Sequence, residues 1–268
     1  MTANPLRLPA LTAIVLATVG AFTDATLAQR AAKAPASAVA AAQDEDFQAF
    51  VKKATTKPEF LSPLVDHLPK RAGVPTPKDI LGYHVGAEKK LTYWADQQKW
   101  FRTLEKAMPG RVKTTVIGKT EEGREIMVVY LTSDANLKNL DQNRANMRKL
   151  ADPRGLSAAD AQTLIAATKP HYHLSAGLHS GETNTSEMLM ELAYRLATET
   201  SPLINQIRSN VYVSITPVAD ADGRDRNVDW FYRGLDMQAS APPPPAGDSA
   251  AAGGRGGAGN PFGGNAGG

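Results

Sequence analysis

The stretch from Lys169 to Val218 constrains the fold more than any other part of the chain. KPHYHLSAGLHSGE reads as a strand closed by a glycine-containing turn, and NTSEMLMELAYRLATE reads as an amphipathic helix. Met188, Leu189, Leu192 and Leu196 form the expected buried face of that helix. A short helical piece from Pro202 to Arg208 then leads into VYVSITPV, a near-continuous apolar run suited to a strand covered on both faces. Strand, helix and strand at this spacing form a crossover unit, so the expected architecture is α/β, a mixed central sheet flanked by helices.

Upstream, Leu91, Trp94, Phe101, Leu104 and Met108 share one helical face, which predicts a helix over Lys90 to Ala107 stopped by Pro109-Gly110. RVKTTVIG and REIMVVYLT alternate around a turn containing Gly123 and predict an antiparallel pair. Glu121 and Glu122 fall in that turn, where exposure explains them better than acid/base work does. LSAAD starts another helix that runs to about Ala167, with Ser157 and Asp160 at capping-box spacing. Asp46 to Pro77 mixes short apolar pieces with prolines and is expected to be an irregular lead-in that wraps the core.

The two ends have different compositions from the middle. Leu8 to Phe22 is an apolar run after a single basic residue, and small residues follow at Ala25, Thr26 and Ala28, the pattern of an export signal over residues 1–28. The run is shorter than the roughly 20 residues a bilayer span needs, so no stable membrane span is expected after cleavage, and the protein is expected in a periplasm or outside the cell. Residues 29–75 comprise an Ala-rich linker and the lead-in. Residues 239–268 are mostly Pro, Gly and Ala and are expected to be disordered. With no cysteine in 268 residues, disulfides and thiolate ligands are excluded. The net charge of +3 is spread among interspersed acids and bases, which argues against nucleic acid as a partner.

His179 and Glu182 carry the clearest chemistry. A parallel strand delivers its C-terminal end to the sheet edge where ligands bind. His179 is expected at that edge, with Glu182 in or just before the first turn of the next helix. Imidazole nitrogen and carboxylate oxygen suit Zn²⁺, with room for a third ligand and water. Taken alone, Glu182 is equally a helix N-terminal carboxylate favoured by the helix dipole. His171 and His173 share parity with His179, but His171 lies about 26 Å away along a regular strand. One ion cannot hold both, and His173 is also too far, so packing roles are expected for both. Ser180 is one residue out of register for a G-x-S-x-G nucleophile elbow, and H-E-x-x-H is absent. ADADG after the apolar strand reads as a turn, followed by Arg224, Arg226 and Arg233, any of which can stabilise an oxyanion or hold a carboxylate.

In order, GYHVG with LTYWADQQKWFRTLEKAMPGRVKTTVIG, then KTEEGREIMVVYLT, GLHSGE and ITPVADADGRDRNVDWFYR resemble the zinc carboxypeptidases related to pancreatic carboxypeptidase A, especially long bacterial exported members. The resemblance implies a partial peptidase domain over residues 76–238, the first half of a catalytic domain, incomplete on its C-terminal side. It implies Zn²⁺ held by His179 and Glu182, Arg233 stabilising the oxyanion, structural roles for Arg224 and Arg226, and a peptide or protein substrate cleaved at its C-terminus. Gly181 stands where many members carry an arginine, DADG replaces NPDG, and WFYR is one residue longer than the usual W-R. No histidine follows His179, so the third ligand and the general-base glutamate are expected beyond Gly268, and the 268-residue chain alone is expected to be inactive. Two other functions stay open at this point: a zinc-dependent amidase or deacylase, and a non-catalytic secreted binding or structural module.

Overall fold

Four strands and nine α-helices are found among residues 42–240, the part that the computed structural model describes. In chain order these are α1 (Glu45–Ala54), α2 (Pro77–Leu81), α3 (Trp94–Ala107), β1 (Val112–Lys119), β2 (Glu125–Leu131), α4 (Asp134–Lys138), α5 (Leu140–Ala151), α6 (Ala158–Ala167), β3 (His171–Ser175), α7 (Thr183–Thr198), α8 (Pro202–Asn210), β4 (Tyr212–Thr216) and α9 (Ala221–Ser240). The expected export segment, the first part of the Ala-rich stretch and residues 241–268 lie outside the described residues.

The sheet order is β1-β2-β4-β3, with β1/β2 and β2/β4 antiparallel and β3/β4 parallel, so the sheet is mixed as expected. β4 lies inside the sheet and all five of its residues are buried, which accounts for its unbroken apolar run. Register places Val129 opposite Ile215 and Leu131 opposite Val213. Strand periodicity puts these four on one face with Met127, and that face meets Trp100, Phe101 and Leu104 of α3 and Leu189, Met190 and Ala193 of α7 in the core. Each fully buried large apolar side chain here contributes roughly 2 kcal/mol.

Four features differ from the sequence expectation. α3 begins at Trp94 rather than Lys90, because the backbone of Thr92 is taken by side chains: its N–H donates to Glu187 Oε1 and its carbonyl accepts from Arg224. On α7 Leu189 and Leu196 are buried and Leu192 partly buried as expected, but Met188 is 51% exposed, and Met190, Ala193, Tyr194 and Ala197 complete the buried face. The lead-in is not irregular throughout. Asp44 caps α1, accepting from the Phe47 N–H at 3.0 Å, and Phe47 and Leu68 join the core, so the segment does wrap it. Finally, the turn after β4 is shorter than ADADG. Asp220 accepts from the Gly223 N–H at 3.0 Å, and α9 starts at Ala221 and continues through Arg233. The expected cap of α6 is present, with the Asp160 N–H donating to Ser157 Oγ at 3.1 Å. Among the described residues no helix is long and apolar enough to cross a membrane.

Candidate metal centre

β3 ends at Ser175, four residues before His179, so the histidine is carried by a turn beyond the strand rather than by its last residue. That turn is tied to the chain leaving β4: Ala219 N–H donates to the Ala176 carbonyl (2.9 Å) and Asp220 N–H to the Gly177 carbonyl (2.8 Å). Gly177 has φ +62°, and a Cβ there would lie 3.3 Å from Val218 Cα, so both conformation and space require glycine. A second close approach occurs at Gly223, where an added methyl would collide with the Asp220 carboxylate and lie 2.6 Å from Ser180 Cβ. The first turn of α9 therefore backs directly against the histidine turn.

Glu182 is the N-cap residue of α7, and its N–H donates to the His179 carbonyl at 3.0 Å, closing the turn. This brings the two side chains together, with His179 Nδ1 3.0 Å from Glu182 Oε1. They are 74% and 62% exposed, so neither is committed to the core. A nitrogen and an oxygen at this separation fit two adjacent positions around one tetrahedral zinc, given metal–ligand bonds of about 2.0–2.2 Å. They fit as half of a set, since among the described residues no group of three His, Cys, Asp or Glu side chains could hold a metal ion.

A recess of about 890 Å³ opens beside His179. Leu178 and Trp230 give it apolar walls, while Glu122, Asp220, Asp222 and Arg226 add charge. Arg226 pairs with Glu122, and Glu122 also accepts from Arg124. These two guanidiniums hold the Glu122 carboxyl below the usual range. Asp222 is pushed up by burial, but bonds from Thr120 (2.7 Å), Arg124 (2.7 Å) and the Glu122 N–H (3.1 Å) outweigh this and lower it. Arg124 also donates to Asp225 at 2.8 Å, and its surrounding carboxylates hold it well above its ordinary value. The β1–β2 turn is thus clamped to the start of α9.

Arg233 is exposed on α9 and is not among the residues lining the recess; Arg226 and Trp230, seven and three residues before it, are. Arg224 turns inward. It is 2% exposed, donates to Glu187 Oε1 (2.5 Å) and also bonds the carbonyls of Thr92 and Thr183. His171 and His173 remain apart from His179: His171 stacks on Tyr212, and His173 shares a hydrogen bond with Ser214 (2.9 Å). Trp230 is present in the sequence only as the first residue of the WFYR motif, with no site role assigned, and Glu187 only as a carboxylate on the apolar stripe of α7.

A family model described as zinc carboxypeptidase matches residues 97–233, which spans both members of the His179/Glu182 pair and Arg233. The chain belongs to the zinc carboxypeptidase family. Solved structures with partial likeness to this family member include carboxypeptidase A from Helicoverpa armigera (17% identity, TM-score 0.36, covering 55% of this chain and 31% of that one). Others are thrombin activatable fibrinolysis inhibitor (12% identity, TM-score 0.36, 57% of this chain and 32% of that one) and a metallo-carboxypeptidase from Burkholderia cenocepacia (18% identity, TM-score 0.33, 49% and 28%). The chain spans about a third of the length of these structures. No curated protein matches the sequence.

Proposed function

We propose that this chain carries part of the active site of an exported zinc metallocarboxypeptidase, which hydrolyses a peptide bond at the C-terminus of a peptide or protein. The observation that carries the reading is the convergence of His179 Nδ1 and Glu182 Oε1 to 3.0 Å, beside a recess that His179 lines, within the residues matched by the family model. Zinc, when bound, supplies a Lewis acid that polarises a carbonyl and acidifies water. The chain's own residues do the holding and orienting. His179 and Glu182 act as two ligands, with their separation fixed by the Glu182 N–H bond to the His179 carbonyl. Leu178 and Trp230 line the recess and offer apolar surface to a substrate side chain. Arg233, three residues beyond Trp230 on α9, is assigned to the developing negative charge on the carbonyl oxygen.

Two protein donors are not a complete catalytic set, which ordinarily has three. The reading therefore assigns hydrolysis to the whole protein and a metal half-site to the described residues. Export, to a periplasm or the exterior, rests on the apolar run and small residues of 1–28.

Titration calorimetry of this chain with zinc tests the assignment. One-to-one binding is expected, lost in both His179→Ala and Glu182→Ala. Binding that is absent from the parent chain, or unchanged by either substitution, would overturn the assignment of these residues as ligands. For the whole protein, release of C-terminal residues from a peptide should stop on chelation and return with zinc.

A further inference from the structure

A separate recess of about 410 Å³ lies on the other face of the sheet, beneath α5. Cross-strand register aligns Tyr130 with Ser214 and Ser214 with His173, so two hydroxyls and an imidazole form a row across β2, β4 and β3. His171 lies two residues before His173 on the same face, and Arg144 and Arg148 of α5 complete the lining. The two arginines are four residues apart on α5, one helical turn, and both line the recess. No carboxylate lines this recess.

The positive charge here is nearly uncompensated. Arg148 has no ion pair among the described residues, and the only carboxylate near Arg144 is Asp141, 3.7 Å away and 93% exposed. The His171 tautomer is fixed by its neighbours. Asn143 Oδ1 accepts from the Lys169 N–H (2.8 Å), so Asn143 Nδ2 must donate, and it does so to the Lys169 carbonyl (2.9 Å) and to His171 Nε2 (3.0 Å). Nε2 is thus an acceptor and the proton sits on Nδ1. Burial, and then the Arg144 charge, push the His171 pKa down and favour this neutral form. A basic residue in the last turn of α5 is ordinary dipole placement, which accounts for Arg148 but not for the hydroxyls and imidazoles facing it from three strands.

We propose that this recess binds a phosphate group, either as inorganic phosphate or carried on a small phosphomonoester. The Ser214 hydroxyl is already shared with His173 Nδ1 (2.9 Å), but two guanidiniums, each a planar fork of five N–H donors, together with the Tyr130 hydroxyl, still offer more donors than the two oxygens of a carboxylate accept. A phosphate group has the oxygens to use them. The site is distinct from the His179 turn and does not depend on the zinc reading.

NMR of the histidine side chains tests it, with sodium phosphate as the probe. Saturable shifts are expected for His171 and His173, with His67 and His84 unmoved. Arg144 and Arg148 are exposed, so Arg144→Gln and Arg148→Gln should fold, and each should weaken binding by about tenfold, the loss of one charge-assisted contact. Glycerol phosphate distinguishes the two sources: tighter binding than inorganic phosphate identifies a carried group, and equal or weaker binding identifies the free ion. No saturable shift, the same shift with sodium acetate, or an undiminished shift in the double variant would overturn the proposal.

Discussion

Glu187 and Arg224 are the most deeply buried ion pair among the described residues, 4% and 2% exposed, and they join α7, α9 and the start of α3 through Thr92. Each charge is tolerated there because of the other, so removing one partner should cost far more than a surface pair would. Arg224→Met is expected to lose about 3–5 kcal/mol, because a carboxylate is left unpaired in the interior. Adding Glu187→Gln should recover much of this, since the amide oxygen still accepts from the Thr92 N–H while the charge is gone. Urea denaturation of the two variants checks this, and a double variant no more stable than the single one would contradict it. Glu191, partly buried on the same helix, behaves differently. Burial pushes its pKa up to about 7, with Arg195 pulling the other way. Because its folded-state value lies above the unfolded one, the folded chain holds the extra proton. Its contribution is complete below the ordinary carboxylate range and is lost as the pH rises toward 7, by on the order of 3 kcal/mol. Denaturation midpoints measured at pH 5 and pH 8 should show this fall in the parent chain and a smaller one in Glu191→Gln.

At the scale of elements, α3 is fixed to the sheet by two tryptophans that do different work. Trp94 donates from its indole to the Glu125 carbonyl at 2.8 Å, whereas the Trp100 indole N–H is buried without a partner among the described residues. Trp94→Phe removes a made hydrogen bond, worth about 1 kcal/mol beyond the change in packing, while Trp100→Phe removes a donor already desolvated without compensation. Thermal unfolding should therefore rank Trp94→Phe below Trp100→Phe, and the reverse order would show that volume alone governs these sites. The two positions also show what the sequence makes legible. The stripe of Trp94, Phe101 and Leu104 predicts α3 because it depends only on helical period. His179 and Glu182 are legible for a similar reason, since one turn of chain brings both donors together. The start of α3 is not legible: it depends on Thr92 meeting Glu187 and Arg224, residues 95 and 132 positions further along. The first turn of α9 was hidden too, because Asp and Gly favour a turn and a helix start alike.

For the whole molecule, the strand order governs which parts of the fold open first. β4 is paired on both sides, with β2 and with β3, while among the described residues β3 is paired with β4 alone. The Tyr212 N–H donates to the Pro170 carbonyl and the Ala176 N–H to the Thr216 carbonyl. These bonds bracket β3 and, with the two-residue period of a parallel ladder, turn the amides of Tyr172 and Leu174 toward β4. The amides of His173 and Ser175 must then face the open edge, where His173 and Ser175 are exposed. Native-state hydrogen exchange should find Val213 to Ile215 among the slowest amides, with Tyr172 and Leu174 protected and His173 and Ser175 fast. Alternating protection along a five-residue strand is a stringent outcome, because local fraying would speed all five amides together. Slow exchange at His173 and Ser175 would mean instead that another strand covers this edge in solution, and sedimentation of the same sample would show whether that strand comes from a second copy of the chain.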